Sequence, residues 1–245
     1  MGDYRDAEEN CSCDVGMASS SLDLKSKPRV LVTGFGPFGE HTINASWEAA
    51  QELKLFTDLT DAVDLIVERI PVVYSDVSST VPSLWEKYSP DLVIHCGVSA
   101  FIAWKNIIQV ERKAHSFGYQ RPDVCAAVPV NGWCREDHGE QCLRTLIDLE
   151  TLVAGEEGRC EDSVLSCQIS DDAGRYLCEF IYYTSLTIDP TRTLFIHVPP
   201  LYKPFSPREI GRAVKNVILK VVGKNTAVDA NGNVAVATAA VAARN

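Results

Sequence analysis

Six short runs rich in Val, Ile and Leu punctuate the chain, and segments with apolar residues at helical spacing separate most of them. They are PRVLVTG from Pro28, AVDLIVERIPV from Ala62, DLVIHCGVS from Asp91, IIQVERK from Ile107, SVLSCQIS from Ser163 and TLFIHVPP from Thr193. A run that is apolar in almost every position is a strand covered on both faces, and a sheet is covered that way when helices cross over it. The alternation predicts an α/β fold: a single-domain three-layer α/β/α sandwich with a mostly parallel mixed sheet. Ligands of such sheets bind at the carboxyl ends of the strands.

Helices are expected in ASWEAAQELKL with Asn44 or Ser46 as N-cap, and in DVSSTVPSLWEKY with Pro82 in or near the first turns. Further helices are expected in LRTLIDLETLVAGEE, in AGRYLCEFIYYTSL and in SPREIGRAVKNVILKVV, the last opened by a capping box. Residues 1–27, rich in Asp, Glu, Ser and Lys, read as a disordered N-terminal extension, 28–222 as the α/β domain and 223–245 as a low-complexity tail. Between Ala114 and Gln141 no period is visible, which marks an irregular excursion long enough to suspect a function.

A net charge of −10 and a pI near 5.0 argue against a nucleic-acid partner, which needs a basic face. No apolar run reaches the roughly 18 residues of a membrane span. The polar, acidic first residues lack the basic flank and apolar stretch of a secretory signal. Nine cysteines scattered through strands, helices and loops then read as reduced thiols of a cytoplasmic protein, a monomer or weak homo-oligomer.

Gly34, Gly36 and Gly39 in VTGFGPFG match a dinucleotide-binding loop letter for letter. That loop needs a helix opening inside the motif and an acid about 20 residues on, at the end of the next strand. Here Pro37 interrupts, the helix starts later, and the available acids, Glu52 and Asp58, precede the strand. A glycine turn with Phe35 and Phe38 as core is one alternative. Another is a small flat apolar slot between the two rings at a strand's carboxyl end, with backbone amides close by.

Cys178 falls about a turn into a helix that follows a strand, where the positive end of the helix dipole favours a thiolate. Its bland reading is a small buried hydrophobe. His197 ends an apolar strand before Pro199 and Pro200, on the sheet edge where active sites collect, or else is a satisfied core histidine. Glu111 either orients that imidazole or pairs with Arg112 or Lys113 at the surface. Ser99 after HCGVS lacks the closing glycine of a nucleophile elbow. Cys125, Cys134, His138 and Cys142 have zinc-ligand chemistry in a spacing that matches no common zinc module.

Taken together, VTGFGPFG followed by N-x-SW (Gly34–Trp47), the IPV strand end (Ile70–Val72), HCGVS (His95–Ser99), DDAGRYLCEFIYYTSL (Asp171–Leu186) and FIHVPPL (Phe195–Leu201) resemble the pyroglutamyl-peptidase I family of cysteine peptidases. The resemblance spans about Pro28 to Val222. It implies a thiol-dependent hydrolase that removes N-terminal pyroglutamate from peptides through a thioacyl-enzyme, with no cofactor and no metal. By motif it implies Cys178 as nucleophile, His197 as general base, Glu111 as triad acid, Phe35 and Phe38 as the rings holding the lactam, and Arg121 near the scissile carbonyl. A catalytically inactive relative that binds small lactams is the alternative of a different class.

Overall fold

The computed structural model describes residues 26–39, 42–137, 139–154 and 163–225. Strand β1 (Arg29–Phe35) leads through a loop to α1 (Ala45–Glu52) and the short α2 (Thr57–Ala62). Then come β2 (Asp64–Ile70), α3 (Tyr74–Tyr88), β3 (Leu92–Val98), β4 (Ile107–Glu111) and β5 (Lys113–His115). The chain continues through β6 (Cys142–Arg144), α4 (Leu149–Val153), β7 (Ser166–Ser170), α5 (Leu177–Leu186), β8 (Thr193–Val198) and α6 (Pro207–Asn225).

Six strands form one sheet in the order β2-β1-β3-β8-β4-β7. All neighbours are parallel except β4 and β8. The alternation of side chains along each strand sends residues to two separate cores. Val30 and Val32 of β1 join α1, α4 and α6 on one face, while Leu31 and Phe35 join α3 and α5 on the other. The result is the expected three-layer sandwich. Each fully buried Val, Leu or Ile contributes about 1.5–3 kcal/mol, so the stripe Ile210, Val214, Val217 and Ile218 of α6 is a principal anchor of its face. The capping box opens that helix: the Ser206 N–H donates to Glu209 Oε2 (2.8 Å) and the Glu209 N–H to Ser206 Oγ (3.3 Å).

Local expectations fail in three places. The helix expected from Leu143 does not start there, because Leu143 pairs with Ala114 in the small β5-β6 hairpin. The Thr145 hydroxyl then donates to the Thr193 carbonyl (2.7 Å), and α4 begins only after Asp148, which caps it through the Thr151 N–H (3.0 Å). α2 was not expected. It is a single short helix closing onto α6, where Lys215 meets Asp58. Pro82 sits in the interior of α3, not its first turns, since the helix starts at Tyr74. It lies on the exposed side of the helix, as does Ser78, whose carbonyl the ring leaves without a helical partner. Of the expected disordered extension (1–27) and low-complexity tail (223–245), residues 1–25 and 226–245 lie outside the described residues, and α6 ends at Asn225.

Candidate active site

The loop after β1 is built by short side chains that fix its backbone. A Cβ on Gly34 would lie 2.6 Å from the Ser46 carbonyl oxygen and 2.7 Å from the Trp47 Cα, so only glycine lets α1 seat directly on β1. The Phe35 N–H donates to Ser46 Oγ (3.0 Å), the Ser46 hydroxyl to Asn44 Oδ1 (2.8 Å), and the Asn44 side-chain amide to the Gly36 carbonyl (2.9 Å). Asn44 also caps α1. The motif therefore serves helix packing and the posture of two rings. Phe35 is buried, Phe38 half-buried, and both line one cleft of about 810 Å³ that also reaches Cys178 and His197. The dinucleotide reading fails on the same geometry. α1 opens beyond the glycines, and the two acids it would need are ion-paired with α6, Glu52 to Arg208 (3.2 Å) and Asp58 to Lys215 (2.5 Å).

At the centre of the cleft, β8 presents His197 and α5 presents Cys178. His197 Nδ1 lies 2.7 Å from Glu111 Oε1, which leaves the other ring nitrogen for the Cys178 side chain, the second group that raises the imidazole pKa. Glu111 is 0% exposed, at the end of β4 beside β8, and its partner is the imidazole rather than Arg112, which pairs with Glu150 and Asp171. Its Oε2 is the buried polar side-chain atom without a hydrogen-bond partner among the described residues. Burial favours neutral His197, but the hydrogen bonds and charges of Cys178 and Glu111 outweigh it and raise the imidazole pKa to about 9.

Cys178 is the second residue of α5, nearer the positive end of the dipole than a place one turn in. No side chain caps that helix, so its first-turn N–H groups remain for another acceptor. The turn is held instead by Glu179. Its buried carboxylate accepts from the His115 N–H (3.0 Å), faces His115 Nδ1 (2.8 Å) and pairs with Arg175 (2.7 Å). Burial pushes the Glu179 carboxyl up against the pull of those partners.

Arg121 reaches the same cleft, its guanidinium 4.2 Å from the Tyr176 ring centre, and the Tyr74 hydroxyl donates to its carbonyl (3.0 Å). Ser99 also lines the cleft, but its fixed contact is a backbone N–H to the Val198 carbonyl (3.0 Å), and the imidazole is engaged by Cys178 and Glu111. Among the described residues no three Cys, His, Asp or Glu side chains are grouped to hold a metal; His138 lies outside them. Cys134 packs on α5, its thiol near the Thr184 hydroxyl (3.6 Å), and burial pushes it up to about 12.

Two contributors were not singled out from sequence. Gln109 pairs in register with His197 and lines the cleft, and the period of two along β4 puts it on the same face as Glu111. Gly97 pairs with His197 on the other side, and a Cβ there would stand 2.6 Å from Cys178 Sγ and 2.8 Å from Phe195 Cζ. HCGVS contained the signal: a glycine inside a buried strand marks a close approach.

A thiol and an imidazole lining one cleft, a buried carboxylate on the far side of the ring, helix amides beside the thiol and Phe35 and Phe38 in the same cleft can together carry out nucleophilic acyl transfer. Comparison with known proteins agrees with that chemistry. The family described as Pyroglutamyl peptidase matches residues 28–210. Pyroglutamyl-peptidase 1 of Mus musculus is 45% identical over 194 residues, covering 79% of this chain and 90% of its own. The Homo sapiens protein of the same name is 46% identical over 189 residues, covering 77% and 87%. Among solved structures, pyroglutamyl peptidase I of Bacillus amyloliquefaciens superposes with a TM-score of 0.69 over 80% of this chain and 98% of that one, at 24% identity.

Proposed function

The chain belongs to the pyroglutamyl peptidase family, and from that premise we propose that it is a cysteine exopeptidase hydrolysing the amide bond after an N-terminal pyroglutamyl residue. Cys178 is the nucleophile, His197 the general base and acid, and Glu111 the group that orients the imidazole. Phe35 and Phe38 hold the lactam. The observation that carries this reading is the pairing of His197 with a fully buried Glu111 (2.7 Å), in the cleft that His197 shares with Cys178, Phe35 and Phe38. The buried acid also weighs against an inactive lactam-binding relative, which needs no such pairing.

In the proposed reaction His197 takes the Cys178 proton, and the thiolate attacks the pyroglutamyl carbonyl carbon to form a C–S bond. The oxyanion is met by first-turn N–H groups of α5, with Arg121 nearby, a contribution of roughly 3–4 kcal/mol in comparable acyl transfers. Collapse breaks the C–N bond as the imidazolium protonates the leaving amine. Water, deprotonated by His197, then attacks the thioester, releasing pyroglutamate and restoring the thiol. A raised imidazole pKa suits this cycle, because the proton taken from sulfur stays on the ring until the amine needs it.

Selectivity follows from the slot. Glutamyl and glutaminyl N-termini would carry an ammonium into an apolar site at a cost of several kcal/mol, roughly 2–7 even for a neutral polar group. Proline lacks the lactam carbonyl and leaves its partner unpaired. Peptides with N-terminal pyroglutamate are thus the substrates, and we place the reaction in the cytoplasm on the strength of the free thiols. Among the described residues no helix is long and apolar enough to cross a membrane. The test is a comparison of pyroglutamyl, prolyl and glutaminyl amides under reducing conditions. Turnover of the first alone is expected; comparable prolyl or glutaminyl rates overturn the slot, and no turnover of any overturns the enzyme.

A further inference from the structure

The lactam is small, and the cleft of about 810 Å³ extends well beyond the space between Phe35 and Phe38. Sheet order decides what the remainder faces. The slot lies at the end of β1, Cys178 is seated on Gly97 of β3, and His197 stands on β8, the next strand across. The acyl group therefore lies toward β1, and the leaving amine must lie toward β8 to receive its proton from His197. The peptide that departs passes over the turns that follow β3 and β8.

Those turns carry bare aromatic surface. Phe101 is 89% exposed and Tyr202 70% exposed, and both line the same cleft as Cys178; Trp104, 68% exposed, is on the same turn as Phe101. The two turns are stitched together by the Ser99 N–H to the Val198 carbonyl (3.0 Å) and the Trp104 N–H to the Lys203 carbonyl (3.1 Å). Trp104 (φ 64°) and Tyr202 (φ 57°) both adopt the left-handed conformation, which is costly for bulky residues and is tolerated where the fold holds them to a task. Large apolar side chains grouped at a reaction cleft mark a binding surface.

Resting on the peptidase reading above, we propose that Phe101 and Tyr202, with Trp104 beside them, form a leaving-group subsite that selects pyroglutamyl peptides with an aromatic or large aliphatic residue just after the scissile bond. The subsite acts on the departing peptide and not on the lactam, so it sets which peptides are cleaved without altering the chemistry at Cys178.

The test compares release of pyroglutamate from pyroglutamyl-phenylalanyl-alaninamide and pyroglutamyl-glycyl-alaninamide, in the full chain and in a Phe101→Ser, Tyr202→Asn double variant; asparagine accepts the left-handed backbone at residue 202. The wild type should favour the phenylalanyl peptide by about tenfold in kcat/KM, and the variant should lose that preference while its glycyl rate stays within about twofold. Equal wild-type rates, a preference that survives in the variant, or a parallel loss on both peptides overturns the subsite. A wild-type dimer that the variant dissociates in sedimentation, with the preference intact, overturns it in favour of an interface between copies. Failure to cleave either peptide removes the peptidase reading itself, whereas glycyl turnover without preference removes only the subsite.

Discussion

Two buried imidazoles, His95 and His197, project from neighbouring strands toward the same helix, and their surroundings drive them in opposite directions. His95 on β3 meets Ser185 near the end of α5 (Nε2 to Oγ, 2.6 Å) and Thr33 of β1 (Nδ1 to Oγ1, 2.6 Å). The Trp85 indole N–H donates to the same Ser185 hydroxyl (3.0 Å). Every partner is neutral, so burial alone acts, and it lowers the His95 pKa to about 3. His197 is almost as buried, but it faces a thiol at the start of α5 and a carboxylate on β4, and it is raised to about 9. The difference shows that burial of a histidine says little about its role. The chemistry of the groups it is buried against decides whether it is a structural pin or a proton carrier.

Removing the charged side of the contrast has the largest expected effect. Cys178→Ala should lower turnover of a pyroglutamyl amide by about 10⁴-fold or more while leaving thermal unfolding nearly unchanged. Retention of more than a few per cent of activity in a steady-state assay of the purified variant breaks the nucleophile assignment.

Glu111→Gln keeps the shape but not the charge. Turnover should fall by about 10²–10³-fold, with a much smaller change in substrate binding. A raised His197 pKa means that its contribution to stability is present below about 6.5 and lost as pH rises through about 9; the imidazolium needed as acid is lost over the same range. Removing the carboxylate withdraws one of the groups that raise the ring, so the alkaline limb of kcat/KM should move to lower pH. A pH profile that does not move shows that Glu111 does not set the proton affinity of His197.

His95→Ala tests the neutral side. It strands the Thr33 hydroxyl in the core, leaves the Ser185 hydroxyl with the Trp85 indole as its remaining side-chain partner and opens a cavity, so it should cost about 3 kcal/mol of stability with turnover per folded molecule unchanged. A lowered pKa carries the opposite sign: the neutral ring stabilises above about 6.5, and that stability is lost as pH falls toward about 3. Urea unfolding at mildly acidic and neutral pH should therefore show a steeper acid loss in the wild type than in the variant. Equal slopes would mean that His95 is already charged in the folded protein.

The sheet and its site were readable from sequence because strands of this kind carry their signal locally. Val30, Val32 and Leu31 are apolar whichever face they serve, and His197 and Glu111 stand at the ends of such runs. What was hidden depended on distant partners. Leu143 and Arg144 have helical company in sequence, yet Ala114 and Lys113 capture them in a hairpin. Glu111 has Arg112 and Lys113 as neighbours in sequence, and only the antiparallel pairing of β4 with β8 turns it inward to an imidazole 86 positions away. α2 is too short to show a period and is held by α6 from the far end of the chain. Pro82 is expected in or near the first turns of its helix, but the helix already begins at Tyr74 and accommodates the ring in its middle, on the exposed side.

Gly97 adds one thing to the catalytic centre, and it is a void of a single carbon. Sulfur occupies the volume where any other amino acid would have put its first side-chain atom, so the strand backbone itself is the cradle wall. Directed evolution toward new substrates therefore has freedom at the rim and in the aromatic slot, but none at this residue: even alanine would evict the thiol from its seat beside the ring.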